Sequence, residues 1–463
     1  MKKILVAALM LALPIPAFAA IQDVKVSGSV TNYFVDRSDF DFKTPSDLNA
    51  YNQNFFYTST HVLISSDLSD NVSAQVGLAN EVAWGDQNVE DSSRGGAAAS
   101  NASDQQVDLE LANITLREFL YSPLTVTVGR QSLSYGNDFL IGAAGGPSVG
   151  TMDNIATDMS RTQNYDGIRA VLDYKPLTID LVYVKTNSNC LSGGTHGSVA
   201  PCTDVGNDDQ NLYGGVANYQ LNDPMSSVIE GSFWARTDDS VNTTWHGAQA
   251  STLYVPDLRV STNPIKDLTL SAEGATQMGI YDNSTNLNEK RSKVFGLQGK
   301  ATYTIPVFEK YKPTLAGTYT YVSGDNPKST TKDNAWDPMF NDQNLGTRIW
   351  RSMFNYTNLQ IIEASASISP LEDVTAKVTW TDLWLADTTP GVQSITMPDL
   401  SVSSETFTDK KDLGNEVDGE FSYQYTEDVS FGLNLGVFVP GDALVSHNNA
   451  VAKEAIVSMG VNF

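Results

Sequence analysis

Four histidines, His61, His196, His246 and His447, are the only imidazoles the chain can bring to acid–base chemistry. None sits in a His-Glu-x-x-His zinc pattern. The Gly-x-Ser-x-Gly string from Gly146 to Gly150 lies in a Gly/Pro-rich connection, without the strand before and helix after that would make a nucleophile elbow. The chain is therefore not expected to be an enzyme. Cys190 and Cys202 flank His196 in a Gly/Ser/Thr-rich segment. In an exported protein two such cysteines are expected to form a disulfide that pins the loop; a metal site using His196 is the alternative. With no Cys-x-x-Cys-His, the chain carries no covalent c-type haem of its own.

The chemistry the chain does carry is charge set at alternate positions. From 428 to 439, Val429, Phe431, Leu433, Leu435 and Val437 share one parity, and Ser430, Gly432, Asn434 and Gly436 the other. From 413 to 426, Val417, Phe421, Tyr423 and Tyr425 alternate with Glu416, Asp418, Glu420, Ser422 and Gln424. From 266 to 281, Glu273 and Gln277 oppose Leu268, Leu270, Ala272, Met278 and Ile280. Period-two alternation makes a strand with one apolar and one polar face. A Lys or Arg facing hydrocarbon costs about 2–4 kcal/mol at mid-membrane, so mid-strand charges should face a watery interior. That rule selects Arg130, Arg169, Arg236, Lys300 and Lys377, with Glu81, Asp180, Glu230, Glu273, Glu363, Asp418 and Glu420, as pore-lining groups. Taken singly, each reads first as a lumen salt bridge that shapes the barrel; collectively they form a polar channel. Arg130 shares its parity with Leu124, Val126 and Val128, so a bulge near Gly129 is expected to switch it inward; segment 106–119 also changes faces near Leu111.

The elements that must position these groups are strands. Lys2 and Lys3, the apolar run Ile4–Leu13 and Ala17-Phe18-Ala19 read as a secretory signal over residues 1–19, leaving 20–463 as one folded unit. At the other end Ala455, Val457, Met459, Val461 and Phe463 alternate with small or polar residues, as in a strand that must zip against the first to close a sheet. Between them lie strand-like segments at 24–36, 54–66, 72–84, 106–119, 124–135, 162–174, 177–187, 210–221, 225–238, 250–262, 266–281, 291–305, 312–323, 356–369, 374–387, 413–426, 428–439 and 451–463. Short turns rich in Pro, Asn and Asp alternate with long polar connections at 85–105, 136–161, 188–209, 324–355 and 388–412. The expected fold is all-β: a transmembrane antiparallel β-barrel of about eighteen strands, with short periplasmic turns and long extracellular loops, in the outer membrane of a Gram-negative-type bacterium. Segment 250–262 is its weakest member, because Pro256 lacks a ladder donor and would need a bulge. A net charge of −25 argues against nucleic acid as partner.

Three segments, in this order, resemble the alginate export family of outer-membrane porins. They are Gly129-Arg130-Gln131-Ser132-Leu133-Ser134-Tyr135-Gly136 running on to Phe139-Leu140-Ile141-Gly142; Tyr321-Val322-Ser323-Gly324-Asp325 followed by Trp336-Asp337-Pro338-Met339-Phe340; and Leu413-Gly414-Asn415-Glu416-Val417-Asp418 followed by Phe438-Val439-Pro440-Gly441-Asp442-Ala443-Leu444. The resemblance implies an eighteen-stranded monomeric barrel and passive export of a polyanionic polysaccharide through an arginine-rich lumen. Arg130 and Arg169 fit a basic constriction, and Arg348 and Arg351 could reach it from a long loop, yet acidic residues outnumber basic ones on the inward set. The family's fold passing another solute is the competing expectation. The function expected is a passive channel for small polar or charged solutes or for polysaccharide export; a scaffold barrel sheathing an electron-transfer or secretion partner is the alternative. Expected partners are outer-membrane lipid and lipopolysaccharide around the barrel and small polar or anionic solutes within it, with a periplasmic or cytochrome protein as a further candidate. No cofactor is expected, apart from calcium on Asp325, Asp333, Asp337 and Asp342 of the 324–355 loop as a candidate.

Overall fold

Alternating apolar and polar residues extend into strands that pair antiparallel with their sequence neighbours, as period-two patterning demands. The computed structural model describes residues 23–43, 51–84, 107–142, 157–159, 164–188, 209–238, 251–281, 289–308, 310–325, 332–341, 349–399, 401–445 and 450–463. The 1–19 segment, Cys190, His196, Cys202, Asp342 and Arg348 lie outside the described residues. In chain order the wall strands are β1 (Asp23–Ser38), β2 (Asn52–Ser69), β3 (Val72–Ala83), β4 (Asp108–Leu116), β5 (Leu124–Gln131), β6 (Tyr165–Asp173), β7 (Leu177–Ser188), β8 (Asp209–Gln220), β9 (Val228–Asp238), β10 (Ser251–Ile265), β11 (Leu268–Tyr281), β12 (Val294–Thr304), β13 (Thr314–Val322), β14 (Leu359–Leu371), β15 (Val374–Leu385), β16 (Asp412–Gln424), β17 (Val429–Pro440) and β18 (Ala452–Asn462).

The last strand closes on the first. β1 and β18 pair from Ser29 opposite Asn462 to Ser38 opposite Lys453. The Gly28 N–H donates to the Phe463 carbonyl at 2.9 Å, and the Phe463 N–H returns the bond at 3.0 Å. Residues 23–27 run on past this seam against β2 alone, the stagger that tilted strands in a closed barrel require. The outer face carries exposed Val26, Ile114, Ile168, Leu258, Val378, Phe421, Leu435 and Val457, an apolar belt of the kind that faces lipid. Aromatic residues flank the belt: Tyr121, Tyr174, Tyr219 and Tyr425 towards the short-turn end, Phe56, Trp84, Tyr183 and Tyr213 towards the long-loop end. The turns use the expected residues. Asp267 takes φ of 65° between Ile265 and Leu268. Asn222 takes 54°, and the next residue, Asp223, accepts the Ser227 N–H at 2.7 Å.

Three local expectations resolve differently from one another. Segment 106–119 does change faces: opposite β3 the register slips between Gly77/Leu111 and Leu78/Leu109, making Glu110 the extra residue of a bulge. Pro256 needs no bulge. It sits opposite Phe233 in unbroken register with β9, and towards β11 the ladder skips Val255 and Pro256 without shifting. Gly129 takes φ of 118°, but β5 keeps continuous register with both β4 and β6. The expected switch of faces there does not occur.

At the long-loop end several segments leave the wall and fold inward. They are residues 132–142, residues 332–341, the helix α1 (Ile349–Met353) and a hairpin of Gly391–Thr396 against Val402–Phe407. The Ile141 backbone bridges to Phe340, and the Gly142 and Phe340 N–H groups bond across the two segments.

Candidate functional site: the barrel lumen

Eleven of the twelve expected pore residues stand on the inward parity. Arg130 does not. It shares the outer face with exposed Val128 and Ile168, and pairs there with Asp166 through Nε at 2.9 Å and Nη2 at 2.7 Å. The reason is the unbroken register at Gly129: without an inserted residue, parity cannot flip.

The inward charges form a belt around the lower and middle wall. Arg169 on β6 contacts Asp180 on β7, with Nε at 2.7 Å. The Tyr135 hydroxyl, from the inward 132–142 segment, donates to the same carboxylate at 2.8 Å and lies 5.7 Å from the Arg169 guanidinium. Burial pushes the Tyr135 hydroxyl above its ordinary pKa, and the neighbouring Asp180 charge adds to this. Glu230, Arg259 and Glu273 stand opposite one another on β9, β10 and β11. Asn137 ties this row to the inward segment: its side-chain oxygen accepts from Arg259 Nε at 3.1 Å, and its N–H donates to Glu273 at 3.0 Å. Glu230 also accepts from Asn218 at 2.9 Å. Lys300 and Glu363 face Thr318 from either side on three adjacent strands. Lys377 reaches Glu420 at 3.0 Å, and both side chains stay about one-third exposed, at 35% and 33%. Asp418 lies deeper on the same wall. Glu81 accepts from Ser59 at 3.3 Å; Ser59 Oγ is 2.9 Å from His61 Nε2, whose Nδ1 lies 3.0 Å from Glu110.

Above the belt the described lumen is packed with apolar side chains. Phe139, Leu140, Trp336, Ile349, Trp350 and Tyr356 from the inward segments bury against Val184, Leu212, Leu253, Val294, Leu385 and Phe438 of the wall. Polar side chains bolt this plug to the wall. Arg236 on β9 takes both carboxylate oxygens of Asp337, which Arg291 also contacts at 3.2 Å. Gln277 closes a two-way bond with the Asp337 backbone, 2.6 Å to its carbonyl and 2.8 Å from its N–H. Burial opposes ionisation of Asp337, but the two guanidinium groups outweigh it and hold the carboxyl below its usual range. Asp138 differs: burial raises its pKa, only partly offset by the Ser134 hydroxyl that donates to it at 2.5 Å. Glu416 on β16 accepts the Ile349 and Trp350 N–H groups, each at 2.8 Å. Arg37 on β1, with no exposed side-chain surface, reaches Glu454 on β18 and Asp158, each at 2.6 Å.

Arg37, Asp257, Arg259, Arg291, Glu416 and Glu454 hold lumen or plug positions that were absent from the expected set. Parity alone was enough for Asp257, Arg259 and Glu454, and the alternation along 413–426 already sets Glu416 on the inner face. Arg37 lies one residue past the expected strand end, and Arg291 belongs to a rim strand, Glu289–Arg291, that pairs parallel with Lys332–Asp333. Arg351 does not line the wall: it donates to Asn341 at 2.6 Å and packs 5.1 Å from the Tyr356 ring. Of the four carboxylates considered for calcium, three are described, and each has a protein partner. Asp333 and Asp337 are occupied by Arg291 and Arg236, Asp325 accepts the Asn334 N–H at 3.0 Å, and no cluster of three metal-ligating side chains forms among the described residues.

The sequence model of the alginate export family matches residues 36–458. No curated protein matches the chain by sequence. Among solved structures, the outer membrane protein OpdK of Pseudomonas aeruginosa superposes with a TM-score of 0.54 at 13% identity, covering 96% of this chain and 100% of that one. OccD3 (OpdP) of the same organism gives 0.54 at 12%, covering 96% and 92%. A BenF-like porin of Pseudomonas fluorescens Pf-5 gives 0.52 at 12%, covering 96% and 100%. At these identities the likeness establishes a shared barrel fold.

Proposed function

Because the chain belongs to the alginate export family, we propose that it is a passive outer-membrane channel whose lumen admits small polar solutes and favours cations. The observation that carries this reading is the charged belt on the inner wall of a closed barrel. Eighteen strands enclose a bore wide enough for water, and fixed charges at its wall set ion preference. On the spanning strands Glu81, Asp180, Glu230, Asp257, Glu273, Glu363, Glu416, Asp418, Glu420 and Glu454 outnumber Arg37, Arg169, Arg236, Arg259, Lys300 and Lys377. A polyanionic chain entering this wall would meet net repulsion, so small cationic or zwitterionic solutes fit it better than alginate. The packed upper lumen leaves the described barrel poorly suited to sheathing a threaded protein partner. The short-turn end then faces the periplasm, the long-loop end faces the exterior, and residues 1–19 act as the export signal. Purified barrels in planar bilayers should give stepwise conductance, with a reversal potential under a salt gradient that reports cation preference. Silent barrels, or anion preference, overturn the reading.

A further inference from the structure

The outer wall carries a second feature that the channel does not use. An open apolar groove of about 480 Å³ runs along the lipid face of β6–β9. It exists because small and large residues alternate across the register. Ala170 faces Leu181, Leu181 faces Gly215, and Gly215 faces Phe233. A side chain at Gly215 would meet only Leu181, at an ordinary 3.6 Å, so wall packing does not demand glycine there.

Four residues nearer the long-loop end, past the row of Ile168, Tyr183 and Tyr213 that also lines the groove, the same face turns polar. Arg130, Asp166, Lys185 and Asn211 stand opposite one another on β5, β6, β7 and β8. The Tyr183 hydroxyl marks the border, donating to Asn211 at 3.1 Å. Arg130 is held in place by both oxygens of Asp166 and by the Leu109 carbonyl at 2.9 Å; Asp108 adds a further nearby negative charge. Charges on a lipid-facing wall are tolerated only near the interface, which puts this row at headgroup height. Arg130 keeps a second N–H on each terminal nitrogen beyond these bonds, and the Lys185 ammonium carries three N–H groups, so each can add a bond to a phosphate oxygen without giving up its protein partners. An apolar trough directly beneath such a row has the shape of a lipid: chain below, headgroup above.

We propose that this face holds one phosphate-bearing glycolipid of the outer leaflet, with an acyl chain in the Ala170–Gly215 groove and a phosphate at Lys185 and Arg130. The orientation rests on the outer-membrane reading above. Native mass spectrometry of the full barrel, extracted in mild detergent from its own membrane, tests it. About one phosphorylated glycolipid per barrel is expected. Gly215→Leu, which fills the groove and displaces the contacts of two or so methylenes, should lower occupancy about tenfold. Lys185→Ala combined with Arg130→Ala should lower it several-fold, and Val378→Leu, on the lipid face away from the groove, should leave it unchanged. Bilayer conductance of Gly215→Leu at the wild-type level shows that the barrel has folded, and separates failure of this site from failure of the channel reading. Equal occupancy in all variants, retention of phospholipid alone, or no retained lipid in the wild type overturns the proposal.

Discussion

The same strands build two unlike interiors. On β7 the inward positions run from Asp180 to Val182 and Val184. On β10 they run from Arg259 and Asp257 to Val255 and Leu253, and on β14 from Glu363 to Ile361 and Leu359. Towards the long-loop end these positions are covered by the plug. Two to four residues lower they bear charge, and side chains such as Lys377 and Glu420 keep a third of their surface open. Parity decides whether a residue faces the lumen; height along the strand decides whether it meets the apolar plug or other charged groups. The ionic groups divide accordingly. Arg37, Glu454 and Asp337 sit in the packed zone, where an ion pair is costly to break, whereas Lys377 and Glu420 sit in the charged belt, where it is worth little.

Substitutions that separate the two zones should rank in that order. Arg37→Ala leaves Glu454 and Asp158 without their cation in a buried setting and should cost about 3–5 kcal/mol in denaturant unfolding of the detergent-solubilised barrel. A loss below about 1 kcal/mol would show that water reaches this pair. Phe139→Ala opens a cavity beside Trp336, whose ring centroid is 5.3 Å away. It should cost about 3–4 kcal/mol and raise single-channel conductance; unchanged conductance would mean the plug does not limit the current.

Acid should loosen the plug through Asp337. Its folded pKa lies below the ordinary aspartate value of about 3.9, so its contribution is complete above that value and is lost as pH falls through the folded pKa. Unfolding followed from pH 6 down to pH 2 should show this decline, and Asp337→Asn should flatten it. A parallel decline in the variant would assign the effect to other carboxylates.

In the charged belt, Lys377→Ala should change stability by no more than about 1 kcal/mol yet move the reversal potential towards cations; Glu420→Gln should move it the other way. Arg169→Ala should likewise shift preference towards cations. The smallest effect is expected of Arg130→Ala, which faces outward and should leave ion preference at the wild-type value. A shift there would place its guanidinium in the current path.

Much of the barrel was legible because its signals are local. Alternation at Phe421, Tyr423 and Tyr425 against Glu416, Asp418 and Glu420 announces a spanning strand, and Asp267 or Asn222-Asp223 announces a tight turn. Parity places Arg169, Glu273 and Lys377 on the inner face; it also covers Asp257, Arg259 and Glu454, which the expected set lacked, and at Arg130 the unbroken register past Gly129 keeps the side chain on the outer face. The plug was not legible. Leu133, Phe139, Trp336 and Trp350 sit in segments whose polar neighbours and turn residues read as ordinary outer loops, and no local pattern says that such a segment turns back into the bore.

Sequence by itself determined the closed sheet, its lipid face and the sidedness of its turns, because these depend on spacings of two residues and on turn chemistry that acts over four. Tertiary structure alone decided which lumen positions the plug covers, which carboxylates Arg37, Arg236 and Arg291 claim, and where the groove by Gly215 lies. Those outcomes arise from contacts between residues tens to hundreds of positions apart, such as Arg37 with Glu454 and Phe139 with Trp336, brought together only when the sheet closes and the long segments fold into it.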